Sequence, residues 1–108
     1  MNNAERIKAD NQFNNIINEM KKHGLPDVAI LRKAYQFALE KHNGTTRNTG
    51  EAYIFHPLAV AQILADNGHE SDVITCALLH DTVEDCDVSE DDIEKEFGSK
   101  IEIGRAHV

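Results

Sequence analysis

Apolar residues recur at helical spacing through the first half of this chain. One stripe occupies residues 2–23, before Gly24 and Pro26, and a second occupies residues 27–42, before Gly44. Their apolar members are Ile7, Phe13, Ile16, Ile17 and Met20 in the first stripe, and Val28, Leu31, Tyr35, Ala38 and Leu39 in the second. The 3.6-residue period predicts two helices, each with one buried face, and glycine suits the left-handed position just past a helix end.

The second half of the chain predicts three more helices after a loop at residues 43–55. Pro57 is expected to open the third helix, because the missing proline N–H has no partner to lose in a first turn. The core stripe of this helix consists of Leu58, Ala61, Leu64 and Ala65. Gly68 ends it, and Ser71 can cap the helix that follows.

A short fifth helix is predicted to begin after Ser89, which makes a capping pair with Asp92, and to end near Phe97. The sequence has no convincing strand pattern, internal repeat or linker. The expected architecture is therefore a single all-α domain over residues 1–108, with five helices and a weak sixth.

Composition narrows the classes of function. The chain has 108 residues, enough for one modest domain, and a formal net charge of −8. This acidic balance argues against nucleic acid and anionic membranes as partners, which need basic patches. No apolar run approaches the roughly 20 residues of a transmembrane helix, and the polar N-terminus is no signal peptide. Cys76 and Cys86 match no zinc spacing and no disulfide framework, so we expect small hydrophobic side chains in a reducing cytoplasm.

The fourth helix changes character along its length. It begins as a buried helix up to Leu79, and four ionisable residues then follow closely, namely His80, Asp81, Glu84 and Asp85. At about 100° per residue their side chains span an arc of roughly 140°, which apolar residues occupy one or two turns earlier. Carboxylates buried there need a metal ion or an opposite charge. The alternative is that the helix emerges into solvent after Leu79 and has an ordinary charged end.

His56 adds an imidazole at the start of the third helix, where Pro57 holds the backbone and the ring can serve as a ligand or as a cap. His80 and Asp81 are adjacent, so both can reach one ion lying against the helix. Such mixed imidazole and carboxylate ligands suit Mn, Fe or Zn better than Mg or Ca. Glu84, one turn beyond His80, can orient or deprotonate a water molecule at the ion.

Two motifs in the chain are similar to those of a known family. The first is Arg-Asn-Thr-Gly-Glu-Ala-Tyr-Ile-Phe-His-Pro-Leu-Ala-Val-Ala at residues 47–61, and the second is Ala-Leu-Leu-His-Asp-Thr-Val-Glu-Asp at residues 77–85, with Phe-Gly following at 97–98. They resemble the motifs of the RelA/SpoT-type HD hydrolases, and the resemblance covers about residues 28–98.

The resemblance implies an all-α HD-domain helical bundle, of which this chain would form the N-terminal part. It also implies Mn²⁺-dependent removal of the 3′-pyrophosphate from the guanine nucleotides ppGpp and pppGpp, which gives GDP or GTP. The small stand-alone members, similar to the metazoan SpoT homologue, are the nearest in length.

The resemblance further implies a role for each matching residue. The ligands of Mn²⁺, or of another divalent transition metal, would be His56, His80 and Asp81. Glu84 and Asp85 would serve the attacking water. Arg47 would contact the guanine base or its surroundings, with a solvated loop arginine as the alternative.

Other polar residues match the family less specifically. His42 could approach the nucleotide, or it could be a helix-end histidine favoured by the helix dipole. Glu51 and Tyr53 are expected to be loop structure and not chemistry. Surface positions are expected for the histidines that match nothing, namely His23, His69 and His107.

The chain departs from the family pattern at three places. Asn48 stands where a basic residue often follows the motif arginine, and Ala52 replaces the usual proline before Tyr53. The family's fourth metal ligand, an Asp in a later Asp-Arg-Leu-His-Asn-like motif, has no match, and the tail at residues 101–108 departs from the family's continuation. We therefore expect a C-terminally truncated form that self-associates and hydrolyses ppGpp poorly.

Two other functions stay open at the level of the sequence. One is an HD phosphohydrolase that acts on another nucleotide. The other is a binding or regulatory module that keeps the metal pocket but has no turnover. Glu84 and Asp85 together favour an enzyme, whereas the unmatched fourth ligand favours a module.

Overall fold

The computed structural model describes residues 1–24, 28–43, 50–86 and 88–98, and Asp85 by its backbone alone. Five helices follow one another in this part of the chain: α1 (Asn3–Lys22), α2 (Val28–Lys41), α3 (Phe55–Asp66), α4 (Ser71–Asp85) and α5 (Glu90–Phe97). The predicted all-α architecture is confirmed. A sixth helix does not occur among the described residues, and the tail at 101–108 lies outside them.

The fourth helix lies at the centre of the bundle. Every residue from 74 to 79 is buried, so this part of α4 has no polar face and must be covered all round. It packs against α2 and α3, and α1 in turn packs against α3. The large apolar side chains that α4 buries completely are Ile74, Leu78 and Leu79. The ionisable residues that follow Leu79 are therefore carried by a core helix.

One face of α1 contributes to the core. Its buried residues are Ala9, Phe13, Ile16, Ile17 and Met20. The prediction that Ile7 belongs to this stripe is wrong, because Ile7 is 61% exposed. At about 100° per residue, the nine positions between Ile7 and Ile16 amount to roughly 900°, which is half a turn out of phase. Ile7 therefore points away from the core that Ile16 enters.

A hydrogen bond and an aromatic stack join α1 to α2. The hydroxyl of the buried Tyr35 donates to Asp10 Oδ1 at 2.7 Å. The rings of Phe13 and Tyr35 are stacked, with centroids 4.4 Å apart. Burial and the contact with the Asp10 carboxylate raise the pKa of Tyr35. Burial opposes the charged form of Asp10, but hydrogen bonds from Tyr35 and Arg6 outweigh it and lower the pKa of Asp10.

Glycines end α1 and α3 as predicted. Gly24 has a φ of 74° and Gly68 a φ of 73°, in the left-handed region that glycine enters without a Cβ clash. Gly44, predicted to end α2, lies outside the described residues. The capping box of α5 is confirmed, since Ser89 Oγ accepts from Asp92 N and Asp92 Oδ2 accepts from Ser89 N, both at 3.1 Å. The hydrogen bonds from the Ser89 backbone and side chain lower the pKa of Asp92.

Two helix starts differ from the prediction. α3 begins at Phe55 after the N-cap residue Ile54, so Pro57 is its third residue and not its first. Pro57 is still in the first turn, where its missing N–H costs nothing. α4 begins at Ser71 itself, and Glu70 takes the extended N-cap backbone without a side-chain hydrogen bond. Ser71 therefore does not cap α4, because it already belongs to the first helical turn.

The short helix α5 contacts α2. Its buried residues are Ile93 and Phe97, and its six other residues are exposed. The rings of Phe37 and Phe97 meet edge to face with centroids 5.5 Å apart, which joins the two helices. Within the described ranges, none of the helices combines the length and the apolar character that a membrane span requires.

Candidate metal centre

α4 does not emerge into solvent directly after Leu79. Asp81 is 8% exposed, and Thr82 is fully buried with its hydroxyl donating to the Leu79 carbonyl at 2.6 Å. One turn further on, the side chain of Glu84 is 55% exposed. The alternative of an ordinary charged helix end is therefore wrong at Asp81, whose carboxylate is mostly removed from water.

Three ionisable side chains converge on α4. One potential ligand atom from each of His80, Asp81 and Glu84 lies within 4.8 Å of the other two. His80 Nε2 is 3.4 Å from Glu84 Oε1, because residues four apart are neighbours on a helix. His80 is half-buried and Glu84 reaches solvent, so the cluster spans the boundary between the core and the solvent.

His56 reaches the same cluster from α3. Its Nε2 atom lies 3.6 Å from Asp81 Oδ2. The backbone N–H of His56 donates to the Tyr53 carbonyl at 3.1 Å, within the turn that leads into α3. Because α3 packs against α4, the second residue of α3 lies beside Asp81. The structure thus brings together side chains from both sequence motifs.

Comparison with known protein families agrees with this helical bundle and its histidines and carboxylates. The family model for the HD domain matches residues 34–102 of this chain. The chain belongs to the HD-domain family.

Named relatives share the HD domain of this chain. This chain is 46% identical over 76 residues to the guanosine-3′,5′-bis(diphosphate) 3′-pyrophosphohydrolase of Vibrio cholerae. The aligned segment covers 70% of this chain and 11% of the relative. A protein of the same name from Aquifex aeolicus is 48% identical over 71 residues, with 66% and 10% covered. A GTP pyrophosphokinase of Myxococcus xanthus is 40% identical over 79 residues, with 73% and 10% covered. The resemblance to RelA/SpoT-type proteins is confirmed, and the chain spans about a tenth of the length of these relatives.

The donor set of the HD domain fits a divalent metal ion. Metal–ligand bonds of about 2.0 to 2.2 Å place two donors of one ion at most roughly 4.4 Å apart. The contacts of 3.4 Å and 3.6 Å lie within this limit. The 4.8 Å spread of the α4 cluster slightly exceeds the limit. Imidazole nitrogens with carboxylate oxygens suit Mn, Fe or Zn.

The charges in the HD domain also favour a cation at this position. Asp81 is nearly buried, and in the described ranges no lysine or arginine nitrogen lies within 4.0 Å of its carboxylate, which faces His56. A buried carboxylate without a cation is costly. A divalent ion would balance the two negative charges of Asp81 and Glu84. The cluster can therefore hold a metal ion through an imidazole nitrogen and carboxylate oxygens.

The ring of Tyr53 contacts the rings of both His42 and His56. The ring of Tyr53 is stacked on His42, with centroids 4.7 Å apart and planes at 12°, and it meets the His56 ring edge to face at 6.1 Å and 80°. His42 is 4% exposed, and its Nδ1 atom lies 3.2 Å from Cys86 Sγ. No periodicity in the sequence connects these residues, because they come from the end of α2, the turn before α3 and the end of α4.

Some residues singled out in the sequence are not described by the structure. Arg47, His107 and the side chain of Asp85 are outside the described residues, so the proposed nucleotide contact and the second acidic group stay predictions. His23 and His69 are exposed, as expected.

Proposed function

We propose that this HD domain is a metal-dependent phosphohydrolase that removes the 3′-pyrophosphate of ppGpp and pppGpp, giving GDP or GTP and pyrophosphate. The observation that carries the proposal is the 3.6 Å approach of His56 Nε2 to Asp81 Oδ2, which joins the two sequence motifs in one site. The names of the Vibrio cholerae and Aquifex aeolicus relatives supply the substrate.

The proposed metal ligands are His56, His80 and Asp81, with Mn²⁺ as the metal. Two neutral imidazoles and one carboxylate form a mixed donor set of the kind that suits Mn²⁺, and another divalent transition metal would also suit it. A divalent ion bound there would polarise a phosphoryl oxygen and lower the pKa of a water molecule.

Glu84 is the proposed general base. Its carboxylate lies one turn beyond His80 and reaches solvent, so it can accept a proton from a water molecule that approaches from outside the bundle. The water oxygen attacks phosphorus, the bond from phosphorus to the ribose 3′ oxygen breaks, and that oxygen takes up a proton. Asp85 is proposed to assist at the water, and Arg47 is proposed to contact the guanine base.

We also propose a cytoplasmic location. The spacing of Cys76 and Cys86 in the sequence matches no disulfide framework, which is typical of a protein of a reducing compartment. The proposed guanine nucleotide substrate fits the same compartment.

The test is to incubate the purified chain with ppGpp and Mn²⁺, to follow GDP and pyrophosphate by chromatography, and to measure Mn²⁺ affinity by calorimetry. Asp81→Asn keeps the side-chain shape but removes the buried charge, so both binding and hydrolysis should be lost. Asp66→Asn is the matched control on exposed α3 surface and should change neither.

Mn²⁺ binding that Asp81→Asn removes, without any ppGpp hydrolysis, would favour the binding module. Hydrolysis of a different nucleotide in a panel would favour the other phosphohydrolase. Hydrolysis of ppGpp that survives Asp81→Asn would contradict the proposed site.

A further inference from the structure

We infer that Tyr53 and His42 are positioning residues that hold the His56 imidazole in the orientation its ligand role requires. The inference rests on the proposed function, because it concerns the same metal centre. It assigns a role to Tyr53, for which the sequence predicted loop structure. It also assigns one to His42, for which the sequence left open an approach to the nucleotide or a helix-end position.

His56 needs such support because, among the described residues, few other contacts restrain its ring. The His56 side chain is 40% exposed, and its contact with Asp81 is a single 3.6 Å approach. The N-cap residue Ile54 makes no side-chain cap bond at the start of this helix. An exposed side chain samples several rotamers, and ordering it on a ligand costs entropy. A neighbouring group that selects one rotamer removes that cost before the ligand arrives.

Tyr53 supplies this restraint in two ways. Its carbonyl accepts the backbone N–H of His56 at 3.1 Å, which holds the main chain of the ligand. Its ring meets the imidazole edge to face, with centroids 6.1 Å apart and an interplanar angle of 80°. Edge-to-face contact is a preferred arrangement of aromatic pairs, so the ring limits rotation of the imidazole on one side.

His42 in turn supports the ring of Tyr53. Its ring stacks on His42, with centroids 4.7 Å apart and planes at 12°. His42 is 4% exposed, and its backbone N–H donates to the Ala38 carbonyl of α2 at 2.9 Å. A nearly buried ring whose backbone is tied to a core helix is a rigid support for the stack.

The contacts form a closed circuit that begins and ends on α4. His42 Nδ1 lies 3.2 Å from Cys86 Sγ, and Cys86 is the C-cap residue of the helix that carries Asp81. From Asp81 the circuit passes to His56, then to Tyr53 and His42, and returns to α4 at Cys86. The ligand from α3 is therefore positioned relative to the same helix that carries the other ligands, which is what a preorganised site requires.

The test compares Tyr53→Leu with Tyr53→Phe, and uses Phe37→Leu as the matched control. Phe37 also makes an edge-to-face contact, with Phe97, but lies outside the circuit. Mn²⁺ affinity is measured by calorimetry, and the His56 ring is followed by ¹H–¹⁵N NMR in the metal-free protein. Loss of a group that orients a ligand typically weakens metal affinity by about 10- to 100-fold.

Tyr53→Leu should weaken Mn²⁺ binding by about 10-fold and shift or broaden the His56 ring signals, whereas Tyr53→Phe, which keeps the ring, should stay within about threefold of the wild type. Phe37→Leu should leave the affinity and the His56 signals unchanged even if it lowers thermal stability. Cys86→Ala is a milder change at the other end of the circuit and should also weaken Mn²⁺ binding. It replaces Tyr53→Leu as the deciding variant if Tyr53→Leu does not fold.

Unchanged Mn²⁺ affinity in Tyr53→Leu or, where that variant does not fold, in Cys86→Ala would overturn the inference. An equal loss in Phe37→Leu, or a loss in Tyr53→Phe as large as in Tyr53→Leu, would also overturn it. His80→Ala separates this inference from the proposed function: if that variant binds Mn²⁺ normally, the metal centre itself is wrong. The His56 ring signals of the metal-free variants still decide whether Tyr53 orients the imidazole.

Discussion

His56 Nε2 lies 3.6 Å from Asp81 Oδ2, although one is the second residue of α3 and the other lies in the last third of α4. The packing of α3 against α4 produces this approach. It brings one side chain from each sequence motif together, and in the proposed function both side chains bind the same metal ion. Two predictions test the function of this group of side chains, and two test the stability of the helical bundle that carries it.

Replacement of His80 by Ala should remove most of the metal affinity. His80 belongs to the cluster of potential ligand atoms within 4.8 Å of one another, so its loss takes away the nitrogen donor of that cluster. We expect Mn²⁺ affinity to fall by more than about 100-fold, beyond the effect of losing a group that only supports a ligand. Calorimetric titration measures it, with the exposed His69→Ala as the control; equal affinities in the two variants would reject His80 as a ligand.

Glu84→Gln should separate binding from turnover. If Glu84 accepts the proton of the attacking water, the amide variant keeps Mn²⁺ and loses about 10²- to 10⁴-fold in the rate of ppGpp hydrolysis. Pyrophosphate release and Mn²⁺ titration are measured on the same preparations, with Glu94→Gln on α5 as the control. Glu84 Oε1 lies only 3.4 Å from His80 Nε2, so Glu84 could itself bind the ion. A parallel fall in Mn²⁺ affinity and in the rate of ppGpp hydrolysis would contradict the prediction and make Glu84 a ligand.

Leu78→Ala should destabilise the bundle strongly. Leu78 is fully buried in the central helix, so its truncation leaves a cavity that α2 and α3 cannot fill without moving. Substitutions of this kind cost about 2–5 kcal/mol in the free energy of unfolding. Urea denaturation followed by circular dichroism measures it, with the exposed Ile63→Ala as the control, for which a change within about 0.5 kcal/mol is expected. Similar values for the two variants would contradict the central position of α4.

Asp10→Asn should reduce stability at neutral pH and not at strongly acidic pH. Burial opposes the charge on Asp10, but hydrogen bonds from Tyr35 and Arg6 outweigh it, so the pKa of Asp10 in the folded protein is below its value in the unfolded chain. A lowered carboxyl pKa contributes stability above the unfolded value of about 3.9, and the contribution is lost as pH falls through the folded pKa. Because the carboxylate is partly exposed, we expect less than about 1 kcal/mol.

Urea denaturation of the wild type and of Asp10→Asn between pH 7 and pH 2 measures this difference. The gap between the two proteins should narrow as the pH falls below about 5 and should be smallest below the folded pKa of Asp10. Asn11→Ala, an exposed change at the next position of α1, should give a constant difference over the same range. A gap that widens towards acid would show that the sign of the Asp10 contribution is wrong.

The sequence by itself determined the elements and most of the core. The spacing of Phe13, Ile16 and Met20 predicts the buried face of α1, and the apolar residues up to Leu79 predict that α4 begins as a buried helix. Gly24 and Gly68 mark helix ends for a local steric reason. The spacing within one helix also places His80 beside Glu84. All of these follow from the geometry of a single helix, which neighbouring residues set among themselves.

The tertiary structure decided the features that depend on two elements at once. The burial of Asp81, its approach to His56, and the circuit through Tyr53 and His42 to Cys86 join segments far apart in the chain. Helical periodicity gives the direction of a side chain around its own axis but carries no information on the distance to another helix. That distance is set by how the apolar faces of α2, α3 and α4 pack, so only the folded chain shows which imidazole faces which carboxylate.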